Sequence, residues 1–171
     1  MFHKNIKLVI AFLLVTLGIW QIIERNTGNG IFLILSAALP IFLYFKNEYI
    51  LLAFLRLRKQ DFPGAQKWLL KIKNPDTALI KKQQGYYNYL NGLMVSQTNL
   101  NHAEKYFKKA VELGLSMDLD MAVTKLNLAG IAMSRRRKIE ATQLIKEVEK
   151  LDKHKMLKEQ VTMMKQQMKK I

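Results

Sequence analysis

The sequence predicts an all-α protein in which an N-terminal two-helix transmembrane hairpin is followed by an α-solenoid of about three helix pairs and a C-terminal capping helix. Three observations predict it. Residues 8–23 (LVIAFLLVTLGIWQII) and 30–45 (GIFLILSAALPIFLYF) contain no charged side chain. From Asn47 onward the apolar residues take up a helical period broken by Gly, Pro, Asn and Asp. Ala65, Ala103 and Ala141 stand 38 residues apart (103 − 65 = 38; 141 − 103 = 38), with neighbouring apolar positions in the same phase. A period of roughly 20 to 50 residues marks stacked units, none of which buries its apolar face alone.

The hairpin occupies residues 1–47, with spans over about 6–23 and 30–45. At about 1.5 Å per residue each span is roughly 24 to 27 Å long, slightly under a hydrocarbon core of about 30 Å. The linker Glu24–Asn29 (ERNTGN) is short, polar and rich in turn formers, which makes the spans antiparallel neighbours. His3, Lys4 and Lys7 resemble the basic start of a signal peptide. However, the apolar run is long, no small-x-small cleavage site follows Ile23, and a second apolar block comes almost at once. Two charge-free blocks of this length are also more than a small soluble core needs.

Lys4 and Lys7 precede the first span, Lys46, Arg56, Arg58 and Lys59 follow the second, and the loop holds only Arg25. That asymmetry predicts a multi-pass protein of the cell inner membrane with both termini and the repeats in the cytoplasm. Trp20, Tyr44 and Tyr49 fall where amphipathic rings favour the headgroup layer. Ser36, Ala37, Ala38 and Pro40 permit a kink and close helix approach, either inside the hairpin or against another membrane protein.

Three repeat units follow, over 48–73, 79–113 and 119–152. Their helices pair as Tyr49–Lys59 with Pro63–Lys73, Leu79–Gln97 with Asn101–Leu113, and Leu119–Arg136 with Ile139–Leu151. Asp61, Pro63 and Asn99 supply caps and first-turn residues between partners, and Asn74-Pro75-Asp76 and Gly114 close the pairs. Each repeat alanine is followed by a large apolar residue four positions on (Leu69, Phe107, Ile145) and another apolar residue seven on (Ile72, Ala110, Val148). Leu52, Leu90 and Leu128 keep step, as do Leu55, Leu93 and Ile131, and Gly92 is matched by Gly130. The small residue lets the partner helix approach, and the large one fills the groove between pairs.

This pattern resembles the tetratricopeptide repeat family, most closely in Tyr87-x-x-Leu90 with Ala103-x-x-x-Phe107-x-x-Ala110. The outer units are similar through Tyr49-x-x-Leu52 with Ala65-x-x-x-Leu69-x-x-Ile72, and Lys125-x-x-Leu128 with Ala141-x-x-x-Ile145-x-x-Val148. The period is longer than the family's usual 34, Arg56, Met94 and Ala132 replace the aromatic of the first helix, and no regular proline follows the second. The resemblance implies a groove, lined by the first helix of each pair, that holds a peptide or helix of a protein partner. Here its positions include Ile50, Phe54 and Arg58, then Asn88, Gly92 and Ser96, then Leu126, Gly130 and Met133. They lack the lysine and asparagine set with which family members grip a carboxylate terminus, so a hydrophobic segment or helix is the expected occupant.

The tail, 153–171, carries Leu157, Val161, Met164, Met168 and Ile171 in a one-sided stripe and is expected to cap the open end of the array. A methionine-rich surface for a partner helix is the alternative.

No nucleophile with a base, no phosphate-cradling glycine loop and no carboxylate pair is evident. The expectation is a non-enzyme with no cofactor, no metal and no small-molecule substrate. His3, His102 and His154 are isolated, and the chain has no cysteine. Asp118 and Asp120 are expected to cap the helix that follows.

The net charge is +15, of which the first 45 residues hold only +2 (Lys4, Lys7 and Arg25 against Glu24). Four consecutive cations, Arg135, Arg136, Arg137 and Lys138, fall at a helix–helix turn and repel one another unless an anion is near. Anionic lipid, an acidic protein or RNA are the candidate partners of that corner, against a plain solvated turn. The function expected is a membrane-tethered adaptor that recruits or organises protein partners at the cytoplasmic face. The alternatives are an accessory subunit of a membrane transport or export complex, with the hairpin as interface, and a basic-surface binder of ribosome or nucleic acid.

Overall fold

A computed structural model describes residues 4–45 and 47–170; His3, Lys46 and Ile171, singled out above, lie outside the described residues. Among the described residues the regular structure is all helical, without strands: α1 (Lys4–Ile23), α2 (Thr27–Phe45), α3 (Glu48–Arg58), α4 (Phe62–Leu70), the single turn α5 (Pro75–Ala78), α6 (Lys81–Val95), α7 (Leu100–Leu113), α8 (Asp118–Ser134), α9 (Lys138–Leu151) and α10 (Lys158–Met168). Compactness divides the chain into two units, 1–83 and 84–171, so the first helix pair groups with the hairpin.

In the first unit α1 and α2 pack along a seam of small residues. Ala11 and Gly18 are seven apart on α1, Gly30 and Ala37 seven apart on α2, and all four are buried. This heptad spacing keeps the small residues on one stripe of each helix. A Cβ on Gly30 would stand 2.6 Å from the Gly18 carbonyl oxygen, and one on Gly18 would stand 2.9 Å from that of Gly30. The backbones themselves touch there, which only glycine permits. The turn is tighter than the six-residue linker suggested, with α2 starting at Thr27 and Arg25 taking a φ of 64°. α2 runs through Pro40.

At the other end of the hairpin Lys7 is buried, and its Nζ donates to the Leu43 carbonyl (3.1 Å) and to the Glu48 carboxylate. Asn47 caps α3 by accepting from the Tyr49 and Ile50 amides at 3.0 and 3.3 Å. Asp61 caps α4 through Gly64 N–H at 2.8 Å, with Pro63 in the first turn. Donation from that amide, more than the nearby Arg56, holds the Asp61 carboxyl below its ordinary range. Tyr49 stacks on Trp68 and Lys71 sits 3.9 Å over the same indole, so Tyr49 packs between α3 and α4 and is not a free belt residue. The Gln83 amide donates to Tyr44 O at 2.9 Å and accepts from Ile80 N at 3.2 Å.

The alternation of small and large residues is the core of both units. Ala65, Leu69 and Ile72, then Ala103, Phe107 and Ala110, then Ala141, Ile145 and Val148 are all 3% exposed or less. Leu90 and Leu128 are buried in phase, whereas Leu52 and Leu55 of the first pair are exposed. There α3 turns Ile50 and Ala53 inward instead.

In the second unit α6 pairs with α7 and α8 with α9. Asn99 caps α7 through His102 N–H (3.1 Å), and Gly114 ends it with a φ of 81° that favours glycine. Two expectations are corrected. Asp118 and Asp120 do not cap α8, whose preceding residue Met117 makes no side-chain cap. Being inside the first turn, Asp120 instead accepts from the Tyr86 hydroxyl at 2.7 Å, and Asp118 pairs with Lys153 at 2.9 Å. The tail helix is shorter than 153–171, because the Asp152 carboxylate takes the Met156 and Leu157 amides at 2.9 and 2.7 Å and holds a turn before α10. α10 then lays Leu157, Val161 and Met168 into a core shared with α8 and α9.

Candidate functional site

The residues expected to line a groove differ in exposure. In the first unit Phe54 is half-buried and Arg58 exposed. In the second unit Asn88 is buried and returns its amide to Gln84 O at 2.8 Å, and Ser96 bonds Leu93 O at 2.8 Å. Gly92 faces its own partner helix: a Cβ there would stand 2.6 Å from the Phe107 ring. Met133 belongs to the core under α10.

What stays open is a hollow of about 430 Å³ lined by Gly130, Met133 and Ser134 of α8 and Met164, Gln167 and Lys170 from α10 and its end. Glycine and two thioethers line it together with Ser134, Gln167 and Lys170, a composition suited to one bulky apolar side chain of a partner. Gly130 and Met133 are among the positions that the repeat phase assigns to the groove, whereas Met164 is not, since nothing in spacing alone aligns α10 across α8.

The basic corner contains its own anion. Glu104 of α7, buried at 7% exposure, accepts from Arg135 Nη1 at 2.5 Å and Arg137 Nη2 at 3.0 Å, and Lys108 reaches it at 2.8 Å. Arg137 also bridges to Glu140 at 2.8 Å, and Arg135 donates to the Asn101 side chain. Burial pushes the Glu104 carboxyl upward, but the hydrogen bonds from Lys108 and Arg137 outweigh it and hold it below the ordinary range. The inference that four adjacent cations need an external anion therefore fails for two of them. Arg135 and Arg137 fasten α7 to the α8–α9 turn, while Arg136 and Lys138 point outward beside Ile139, which is 88% exposed. The acid lies 31 and 33 residues upstream of its arginines, so no local motif announces it.

Of the membrane-contact candidates, Ala37 is in the seam at 1% exposure. Ser36 bonds Phe32 O at 2.8 Å, Pro40 is half-buried, and Ala38 is exposed on another face. The seam residues Ala11, Gly18 and Gly30 went unnoticed in the sequence, although their seven-residue spacing is visible in it. No protein-family model, no curated protein and no solved structure matches this chain.

Proposed function

We propose that this protein is a membrane-anchored, tetratricopeptide-like adaptor that presents a helical docking face to a protein partner. The observation that carries the anchor is the hairpin's inside-out distribution. Small residues meet along the seam, while Phe12, Trp20, Ile23, Phe32, Leu35 and Leu39 are each at least 60% exposed. Only 17% and 11% of the two apolar windows are buried, the reverse of a soluble core helix. Lipid is the solvent that suits those faces, and the charge asymmetry around the spans supports a cytoplasmic array in a bacterial-type inner membrane. The array supports the adaptor half: its regular alanines build shape, and its open hollow has room for one apolar side chain.

The test uses the full-length protein in native membranes with a photo-crosslinking residue at Gln167, on the rim of the hollow. Discrete protein adducts are expected there, and filling the hollow through Gly130→Trp or, independently, Ser134→Trp should abolish them while circular dichroism stays unchanged. Adducts that persist in both filled variants refute docking at the hollow. Ala38, a small residue left exposed off the seam, favours the second reading, in which the hairpin is the interface to another membrane protein. Adducts from Ala38 alone would establish that reading instead.

A further inference from the structure

A second surface lies where α9 ends and α10 begins. A recess of about 530 Å³ is lined by Glu149, Lys150, Asp152, Lys153, Lys155, Lys158, Val161, Thr162 and Lys165. Five lysines face two carboxylates, and both carboxylates are engaged: Glu149 pairs with Lys165 at 2.6 Å, and Asp152 is turned inward to the Met156 and Leu157 amides. Lys153 is held by Asp118. That leaves the Lys150, Lys155 and Lys158 side chains exposed, their ammonium groups with no ion pair or hydrogen bond among the described residues. Three mutually repelling ammonium groups around one concavity lower their energy by sharing a multivalent anion. A phosphate, with several acceptor oxygens, satisfies three point-charge donors better than a planar carboxylate, whose matching partner is the arginine fork. Beside the cations Met156 is 65% and Met163 54% exposed, and cations set beside apolar side chains are the composition of surfaces that rest at a headgroup boundary.

We propose that this recess binds the phosphate of an anionic lipid headgroup, so that the second unit is held to the bilayer by charge as well as by the covalent tether. The proposal rests on the membrane-anchor reading, which keeps headgroups at high local concentration. Soluble phosphates and RNA share the chemistry but make no use of the methionines.

The absence of cysteine allows a single fluorescent label at Gln166→Cys, a position that is exposed and outside the recess lining. The full chain is reconstituted into vesicles of neutral phosphatidylcholine with or without phosphatidylglycerol, each carrying a trace of lipid with a quencher on its headgroup. Flotation with neutral vesicles reports the anchor; quenching reports the recess. Strong quenching is expected only with phosphatidylglycerol, reversed by salt. The triple variant Lys150→Gln, Lys155→Gln, Lys158→Gln should lower apparent headgroup affinity by about 100-fold, about fivefold per lysine, and the three Lys→Arg changes should restore it. Flotation together with equal quenching in neutral vesicles, or quenching untouched by the triple variant, overturns the recess while leaving the anchor intact. Failure to float defeats the anchor reading itself. Displacement of the label from phosphatidylglycerol by millimolar inorganic phosphate or by RNA would assign the site to a soluble ligand and overturn the lipid assignment.

Discussion

Gly92 and Gly130 occupy the same phase of the 38-residue repeat, yet an added methyl group should have opposite effects at the two. At Gly92 a Cβ would lie 2.6, 2.7 and 3.0 Å from three atoms of the Phe107 ring, against 3.4 Å for ordinary contact. The ring would have to retreat by about 0.8 Å (3.4 − 2.6). Phe107 is 0% exposed, so its ring can retreat only by displacing the neighbours that enclose it. Overpacking costs about 1–3 kcal/mol, and against an immobile ring the upper part of that range, about 2–3 kcal/mol, applies; helix propensity returns about 1 kcal/mol, leaving a net loss near 1–2 kcal/mol for Gly92→Ala. At Gly130 the nearest atom is the Met164 methyl at 3.6 Å, an ordinary contact with a flexible end, so Gly130→Ala should gain about 0.5–1 kcal/mol. Urea titration of the full-length protein in mild detergent, followed at 222 nm, melts the array while the hairpin stays helical. With a slope of about 1.5 kcal/mol per molar, the midpoint should fall by about 1 M for Gly92→Ala and rise by about 0.5 M for Gly130→Ala. Adding Phe107→Leu to Gly92→Ala should cost less than the sum of the two changes, because the smaller side chain vacates the clash. A neutral or stabilising Gly92→Ala, or strictly additive losses, would refute the packing argument.

Three further outcomes follow from other parts of the structure. Cysteines at Ala11 and Ala37, which share the hairpin seam, should form a disulfide in membranes, and Gly30→Leu should prevent it by forcing α2 away from the Gly18 carbonyl; crosslinking undiminished by that change would exclude the seam. Glu104→Gln should lower the array's urea midpoint at pH 7. Because the folded-state carboxyl lies below its ordinary 4.5, the stability it confers is complete above that value and disappears as pH falls through the lowered range, so wild type and variant should converge in acid. Burial, then the Asp120 charge, pushes the Tyr89 hydroxyl up to about 12 and raises Tyr86 as well, so two of the six tyrosines should ionise late in an absorbance titration. The neutral phenols add stability that is full below pH 10 and lost as the pH rises above it, through about 12 for Tyr89; Tyr86→Phe and Tyr89→Phe should each remove part of the late phase.

The helices and their caps were legible because each is decided within a few residues. Asn99, Asp61 and Gly114 act on amides or carbonyls at most four positions away, and the alanine phase reports burial one helix turn at a time. The nine repeat positions are therefore buried as their spacing required. The limits appear where two distant segments decide the outcome. Asp120 has the composition of a cap, but a tyrosine 34 residues upstream takes its carboxylate. Leu52 and Leu55 share the phase of buried leucines and are exposed, because period sets which helix face a residue joins and only the neighbouring element sets whether that face is covered.

The same distinction governs the charge. Arg135-Arg136-Arg137-Lys138 is the most conspicuous basic run in the chain, while Lys150, Lys155 and Lys158 are scattered among acids across a turn. Folding reverses their standing. Glu104 reaches up from α7 and consumes two of the four cations as structural bonds, whereas Asp152, by spending both oxygens on the backbone before α10, removes the acid that stands between Lys150 and Lys155 in sequence. A cation's availability thus depends on where the nearest carboxylate spends its lone pairs, which linear charge density does not encode. Restoring an acid to the recess makes that difference measurable. Thr162→Glu adds a carboxylate to the recess lining, opposite Lys158 one turn back, and should weaken headgroup quenching about as much as the loss of one lysine, roughly fivefold. The same charge added at Thr142, beside the α8–α9 corner where Arg135 and Arg137 are already neutralised, should leave quenching at the recess unchanged. Equal effects at both positions would mean that overall charge, not the recess, attracts the membrane.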